Sequence, residues 1–274
     1  MKLTMNNGLS TAGLLLCAAA LTACGSVEEK AQAIASIPTE AVSNTGNAIP
    51  SSITDDSLWE LEGTNPNPLV DSKTLIFLPL QAQYTSPNGN GLRHEYKIQK
   101  ELRVPMTATY EQFQANVKVD MSAGGKTIVA QHHASDLGTI MKVYVSDSSE
   151  SGFDDSTASN GVFDVYVRLR NTSGVEEKFA LGTIRTGGSF VLNVVNNYGL
   201  VSVGAFGKTF QLNVEDDSAS YLKFGNYLQS QNPDGNSKCG TPGNTSSFLA
   251  CYASFGITES RVTMTDVSYT RTTR

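Results

Sequence analysis

Tyr221-Leu222-Lys223-Phe224-Gly225-Asn226-Tyr227-Leu228-Gln229 decides the fold. Its residues sort at period two. Tyr221, Lys223, Gly225, Tyr227 and Gln229 fall on one face of a strand, and Leu222, Phe224 and Leu228 fall on the other, with Asn226 as the exception. A strand that buries one face and wets the other belongs in an antiparallel sheet. The wet face carries two phenols, an ammonium and an amide, around a Gly that leaves room for something to lie close to the backbone.

Short alternating runs of the same kind recur on both sides of this stretch. They cover residues 75–79, 96–106, 110–119, 127–134, 138–145, 163–170, 177–186, 189–195, 200–206, 208–214, 221–229, 247–258 and 261–270. Turn signals such as Asn88-Gly89-Asn90-Gly91, Asn160-Gly161 and Gly187-Gly188 stand between them. No long stretch holds a helical period, and no internal repeat is visible. The pattern predicts an all-β domain: an antiparallel two-sheet sandwich of jelly-roll type with a concave groove.

The N-terminal region has a different composition. Lys2 precedes a short apolar run, Leu14 to Leu21, that ends in Leu21-Thr22-Ala23-Cys24. Such a run is too short to span a bilayer. It predicts a lipoprotein signal peptide over residues 1–23, with Cys24 as the lipidated first residue of an exported chain. Gly25 after the Cys points to the outer membrane, or to release outside the cell. Residues 24–52 are small and polar and predict a tether from the lipid to the domain. The domain is then 53–274, long enough for one substantial core. Beyond Cys17 of the signal and the lipidated Cys24, only Cys239 and Cys251 remain, and in an oxidising compartment they predict a disulfide.

Other strands carry the same polar faces. Tyr166, Arg168 and Arg170 alternate with Val165, Val167 and Leu169; Lys142 and Tyr144 alternate with Met141, Val143 and Val145; Glu101 and Arg103 alternate with Leu102 and Val104; and Lys118 stands between valines. Gathered in one sheet, they would line a groove with Arg, Lys, Tyr and Gln. The formal net charge of −6 excludes a general polyanion binder, nucleic acid included, and points to selective capture of an acidic chain. Gln131 and His133 share a strand face, and His132 points the other way. A Gln-x-His pair on a polar face suits acid–base work. The same residues lack the spacing of a metal site.

Three segments, Lys100-Glu101-Leu102-Arg103, Gln131-His132-His133 and Tyr221 to Gln229, resemble the motifs of the family 7 polysaccharide lyases, the alginate lyases. That family carries Arg-x-Glu-Leu-Arg, Gln-Ile/Val-His and Tyr-Phe-Lys-x-Gly-x-Tyr-x-Gln strands in this order. Gln99 stands where the first Arg would be, and His132 where Ile or Val is usual.

The resemblance implies a jelly roll that cleaves a polyuronate by β-elimination, leaving a 4,5-unsaturated uronate. It implies that Arg103 and Gln131 neutralise the substrate carboxylate. Tyr227 serves as acid and, for mannuronate, also as base, and His133 assists or acts as base for guluronate. Lys223, Tyr221, Gln229, Lys100 and Glu101 hold the chain. The chemistry calls for no metal and no organic cofactor. Mannuronate is the expected preference, and a monomer the expected state. Two other readings stay open: a lyase for another polyuronate such as glucuronan, and a non-catalytic carbohydrate-binding lipoprotein. The latter fits less well, because the single Trp, Trp59, lies at the domain edge.

Overall fold

A computed structural model describes residues 46–149, 157–235 and 237–274, all within the compact unit Ala31–Arg274. The predicted signal peptide, Cys24 and most of the tether lie outside the described residues. No helix among the described residues is long and apolar enough to cross a membrane.

Among the described residues, fourteen strands follow in chain order. They are β1 Trp59–Glu62, β2 Leu69–Asp71, β3 Thr74–Phe77, β4 Gly91–Ile98, β5 Thr109–Met121, β6 Lys126–Ala134 and β7 Thr139–Ser146. Then come β8 Val162–Arg170, β9 Glu176–Arg185, β10 Gly188–Asn197, β11 Leu200–Ala205, β12 Lys208–Asn213, β13 Ser220–Gln229 and β14 Ser260–Thr273. One sheet has the order β1-β4-β13-β6-β7-β8-β9, and the other β12-β11-β10-β5-β14-β3-β2. Every ladder is antiparallel. This is the sandwich that the alternating runs predict.

The core lies between the sheets. From β13 it takes Leu222, Phe224 and Leu228, all fully buried. Phe224 stacks on Phe113 of the backing sheet with ring centroids 4.6 Å apart. Truncating such a ring costs about 3–5 kcal/mol. Asn226 also faces inward. Thr127 Oγ1 donates to its carbonyl at 2.6 Å, and its amide donates to Phe77 O and Ser260 Oγ. Buried polar groups are accommodated when bonded in this way, so the exception in the alternation is an anchor and not a break.

Two predicted strands are different in the structure. The run 96–106 ends as a strand at Ile98. Lys100–Leu102 is a 3-10 turn, with Arg103 N–H bonded to Lys100 O. The run 247–258 is largely a helix, α3 Thr245–Ser254. Asn244 caps it by accepting from Ser247 N–H at 2.9 Å, and Phe248, Cys251 and Tyr252 form its buried stripe. The single-turn helices α1 and α2 occupy Ser51–Thr54 and Pro79–Ala82. The Cys239–Cys251 disulfide is present and ties α3 to the segment after β13. Packing begins before the predicted domain start, with Ile49 in the core and its N–H on Ser72 O.

Candidate active site

The outer face of the β1-to-β9 sheet holds the polar residues. It is recessed: Arg93, Gln131, Lys223 and Tyr227 lie on it, yet their exposures are 8%, 2%, 1% and 6%. Strand pairing puts residues directly opposite on the same face. Tyr227 on β13 pairs with Arg93 on β4 and Ile128 on β6. Lys223 pairs with Lys97 and Gln131, and Tyr221 with His133. The structure therefore brings Tyr227, Tyr221, Lys223, Gln131 and His133 to one face, as their alternation predicts. His132 points into the sandwich, where its Nε2 lies 2.9 Å from Glu111 of β5.

Tyr227 is held from two sides. The Arg93 guanidinium carbon is 3.9 Å from its ring centroid, and Asn90 N–H donates to its hydroxyl at 2.8 Å. Gly225 lies two residues earlier, with φ 143°. A Cβ there would meet the His94 carbonyl oxygen at 2.5 Å. The close approach that this Gly permits is thus made by the neighbouring strand β4. The β13–β6 register shifts between Phe224 and Tyr227, at the same point.

Beneath the face lies an ionic lattice. Glu62 of β1 accepts from Arg93 at 3.4 Å, from Lys97 at 3.2 Å and from Lys223. Glu95 of β4 takes Arg93 at 3.5 Å, Lys223 at 3.3 Å and the Gln131 amide at 2.8 Å. Burial alone would raise the Glu62 carboxyl, but Lys223, Arg93 and Lys97 hold it well below the usual range. Glu60 of β1 joins the lattice, taking Lys97 at 2.8 Å and Arg103 at 3.2 Å, so every cation of the lattice is met by a carboxylate. Breaking such a buried pair by removing one partner costs about 3–5 kcal/mol.

His133 is surrounded by the same charges. Burial first, then Lys223 and Arg93, push its ring down to about 4 from 6.5. Its ring lies 5.4 Å from that of Tyr221, and its Nδ1 has no hydrogen-bond partner among the described residues. The imidazole is therefore neutral near pH 7. Gln229 turns back on its own strand, its amide donating to Tyr227 O at 3.3 Å.

Other predicted site residues are placed differently. Lys223 is buried under the face with its ammonium on Glu62 and Glu95. Lys100 and Glu101 are exposed on the 3-10 turn, off the strand where the motif reading put them. Arg103 follows that turn. Its guanidinium lies 3.7 Å from the Tyr221 ring centroid and is bonded to Ile98 O and Glu60. The guanidinium set against Tyr227 is instead that of Arg93. Lys118 belongs to the other sheet, paired with Asp120. No group of three His, Cys, Asp or Glu side chains among the described residues is disposed to hold a metal.

The residues missed from sequence are Arg93, Glu95, Lys97 and Glu62. Arg93-His94-Glu95-Tyr96-Lys97 has Arg, Glu and a base at period two. It fits the first family motif better than the segment 100–103, with Tyr for Leu and Lys for the last Arg. Glu62 carried no comparable signal, because β1 is only four residues long.

A recessed polar face on one sheet of a jelly-roll sandwich, with Tyr, Gln and His set over buried cations, suits acid–base chemistry on an acidic sugar chain, and the class it fits is a polysaccharide lyase. The family model described as alginate lyase matches residues 53–270, and the chain belongs to the alginate lyase family. The chain is 67% identical to the alginate lyase from Alteromonas sp. 272, with a TM-score of 0.82 over 83% of this chain and 100% of that one. It is 68% identical to aly-SJ02, a polysaccharide lyase of family 18, with a TM-score of 0.81 over 82% of this chain and 100% of that one. A family 7 alginate lyase, A1-II', shares the fold at 17% identity, with a TM-score of 0.50 over 80% of this chain and 96% of its own. No curated protein matches the chain.

Proposed function

We propose that this enzyme cuts the 1,4 link of alginate by β-elimination and prefers mannuronate. The observation that carries the reading is the contact of Arg93 with Tyr227, beside Gln131 and His133 on one recessed face. Arg93 and Gln131 neutralise the uronate carboxylate, which makes the neighbouring C5 proton more acidic. Tyr227 first gives its hydroxyl proton to solvent, and its oxygen then takes the C5 proton. The C4–O4 bond breaks, a C4–C5 double bond forms, and the same tyrosine returns the proton to O4. One group on one side of the ring suffices only when the C5 proton and O4 share that side, as in mannuronate.

Guluronate needs a separate base on the opposite side, and His133 is the candidate. Its ring is pushed down to about 4, which makes it a weak proton acceptor and supports the mannuronate preference. Lys223 and Glu95 act as positioning residues, fixing Arg93 and Gln131 before substrate arrives. The motif ending at Cys24 supports an exported, lipid-anchored enzyme held off the outer membrane. Mass spectrometry of the mature N-terminus checks the lipid.

The activity test follows the ultraviolet absorbance of the new double bond on poly-mannuronate, poly-guluronate and glucuronan. A rise led by poly-mannuronate and lost in Tyr227→Phe is expected. Equal or faster cleavage of poly-guluronate would remove the preference. Cleavage of glucuronan alone would change the substrate.

A further inference from the structure

One register row crosses the whole recessed face. Glu60, Lys97, Lys223, Gln131, Lys142, Arg168 and Lys178 lie opposite one another, strand by strand, from β1 to β9. Half of the row serves the cluster around Tyr227. The other half, on β7 to β9, has no part in the chemistry above. There Lys142 Nζ lies 2.7 Å and Arg168 Nη1 2.9 Å from the two oxygens of one carboxylate, Glu176. Lys142, Arg168 and Glu176 keep side-chain exposures of 18%, 14% and 33%, far above the 2% of Lys223. Tyr144 and Tyr166 stack 4.9 Å apart beside them on the same face, with the Arg168 guanidinium 5.2 Å from the Tyr144 centroid.

We propose that Lys142 and Arg168 form a second uronate subsite and that Glu176 occupies it as an internal competitor when no chain is bound. The proposal rests on the alginate lyase reading and adds the feature by which the enzyme measures chain length. Neighbouring strands lie about 4.8 Å apart, comparable to the advance of one pyranose along its chain. A polyuronate running along the row from Gln131 thus brings a carboxylate to Lys142 and Arg168 one to two sugars away from the bond cut. Two cations of different shape meeting one carboxylate oxygen each is the geometry a uronate carboxylate needs. Glu176 is drawn down by Lys142 and Arg168, against the opposing effect of burial, so it is ionised and competes as an anion.

The test is steady-state kinetics of the full chain on uronate oligomers of increasing length. For K142A/R168A, the ratio of its KM to that of the wild type should grow with length and reach about tenfold on polymer. E176Q should move the opposite way, lowering KM on long chains about threefold, because the competitor loses its charge. A KM change equal at all lengths, no change, or a KM raised in E176Q would overturn the subsite. The opposite signs separate binding from mere loss of packing, and thermal melts of both variants verify folding. Wild-type protein inert towards every polyuronate would overturn the activity reading and the subsite with it. Wild-type cleavage without length dependence in the variants would overturn the subsite alone.

Discussion

The guanidinium carbon of Arg93 lies 3.9 Å from the ring centroid of Tyr227, and the two residues face each other directly across β4 and β13. Negative charge that develops on the phenol oxygen or on the substrate carboxylate therefore does so in a positive field fixed in advance. Arg93→Ala should lower kcat/KM by about 100-fold or more. Arg103→Ala should cost less than about tenfold, since Arg103 supports Tyr221 from outside the cluster. Initial rates on alginate decide, and the reverse order would restore Arg103 as the neutraliser.

Tyr227→Phe removes one oxygen from the face and leaves the ring in place. Activity should fall at least about 1000-fold, the scale of a lost general acid–base group. The melting curve should shift only by the value of one hydrogen bond, about 1 kcal/mol, because Asn90 N–H loses its acceptor. Near-normal turnover in this variant would assign the proton transfers to another group.

Lys223→Met tests whether the ammonium holds substrate or structure. Two carboxylates, Glu62 and Glu95, would keep a buried charge without it. Denaturant unfolding should show a loss of about 3–5 kcal/mol. A variant of wild-type stability with a raised KM would mean that Lys223 touches the chain after all.

His94 and His133 give the pH dependence of stability. Both rings are pushed down to about 4 from 6.5, His94 by burial and His133 by burial and its cationic neighbours. The unfolded chain binds protons below 6.5 while the folded one does not until about 4. Stability contributed by these rings is thus complete above 6.5 and declines as the pH falls towards 4, at up to about 1.4 kcal/mol per pH unit for each ring. His94→Gln should roughly halve that slope in melts taken across the window. An unchanged slope would place the acid sensitivity elsewhere.

The Cys239–Cys251 bridge spans a sequence separation of 12 and fastens α3. Tyr252 of α3 donates its hydroxyl to Leu228 O and receives Leu92 N–H, so the helix braces the strands of Arg93 and Tyr227. Cys239→Ser with Cys251→Ser should lower stability by about 3 kcal/mol, on loop-closure grounds, and reducing agent should match it on the unmutated protein. Equal unfolding midpoints with and without reductant would make the bridge dispensable.

Much of this was legible in the sequence for a simple reason: period two reports which face a side chain takes. It placed Tyr221, Tyr227, Gln131 and His133 together and sent His132 inward. What period two cannot report is depth. Lys223 alternates onto the outer face correctly, yet neighbouring strands and the carboxylates of β1 and β4 bury it there. Nor does alternation alone make a strand. Glu101 to Val104 alternates polar and apolar and still begins in a turn, so the motif reading lands six residues late and passes over Arg93. The 247–258 run reads as a strand because short alternation overlies the helical spacing of Phe248, Cys251 and Tyr252.

His132 and His133 are neighbours on β6 that turn to opposite sides of one sheet, the first to Glu111 in the interior and the second to Tyr221 outside. Alternation makes that choice all or nothing for the strand. If β6 docked on β13 displaced by a single step, Gln131 and His133 would enter the apolar layer and His132 would leave it. Such a molecule would keep its strands and lose its chemistry. For this enzyme, spectroscopic recovery of β-structure after refolding and recovery of turnover count two different populations, and only turnover reports on correctly aligned chains.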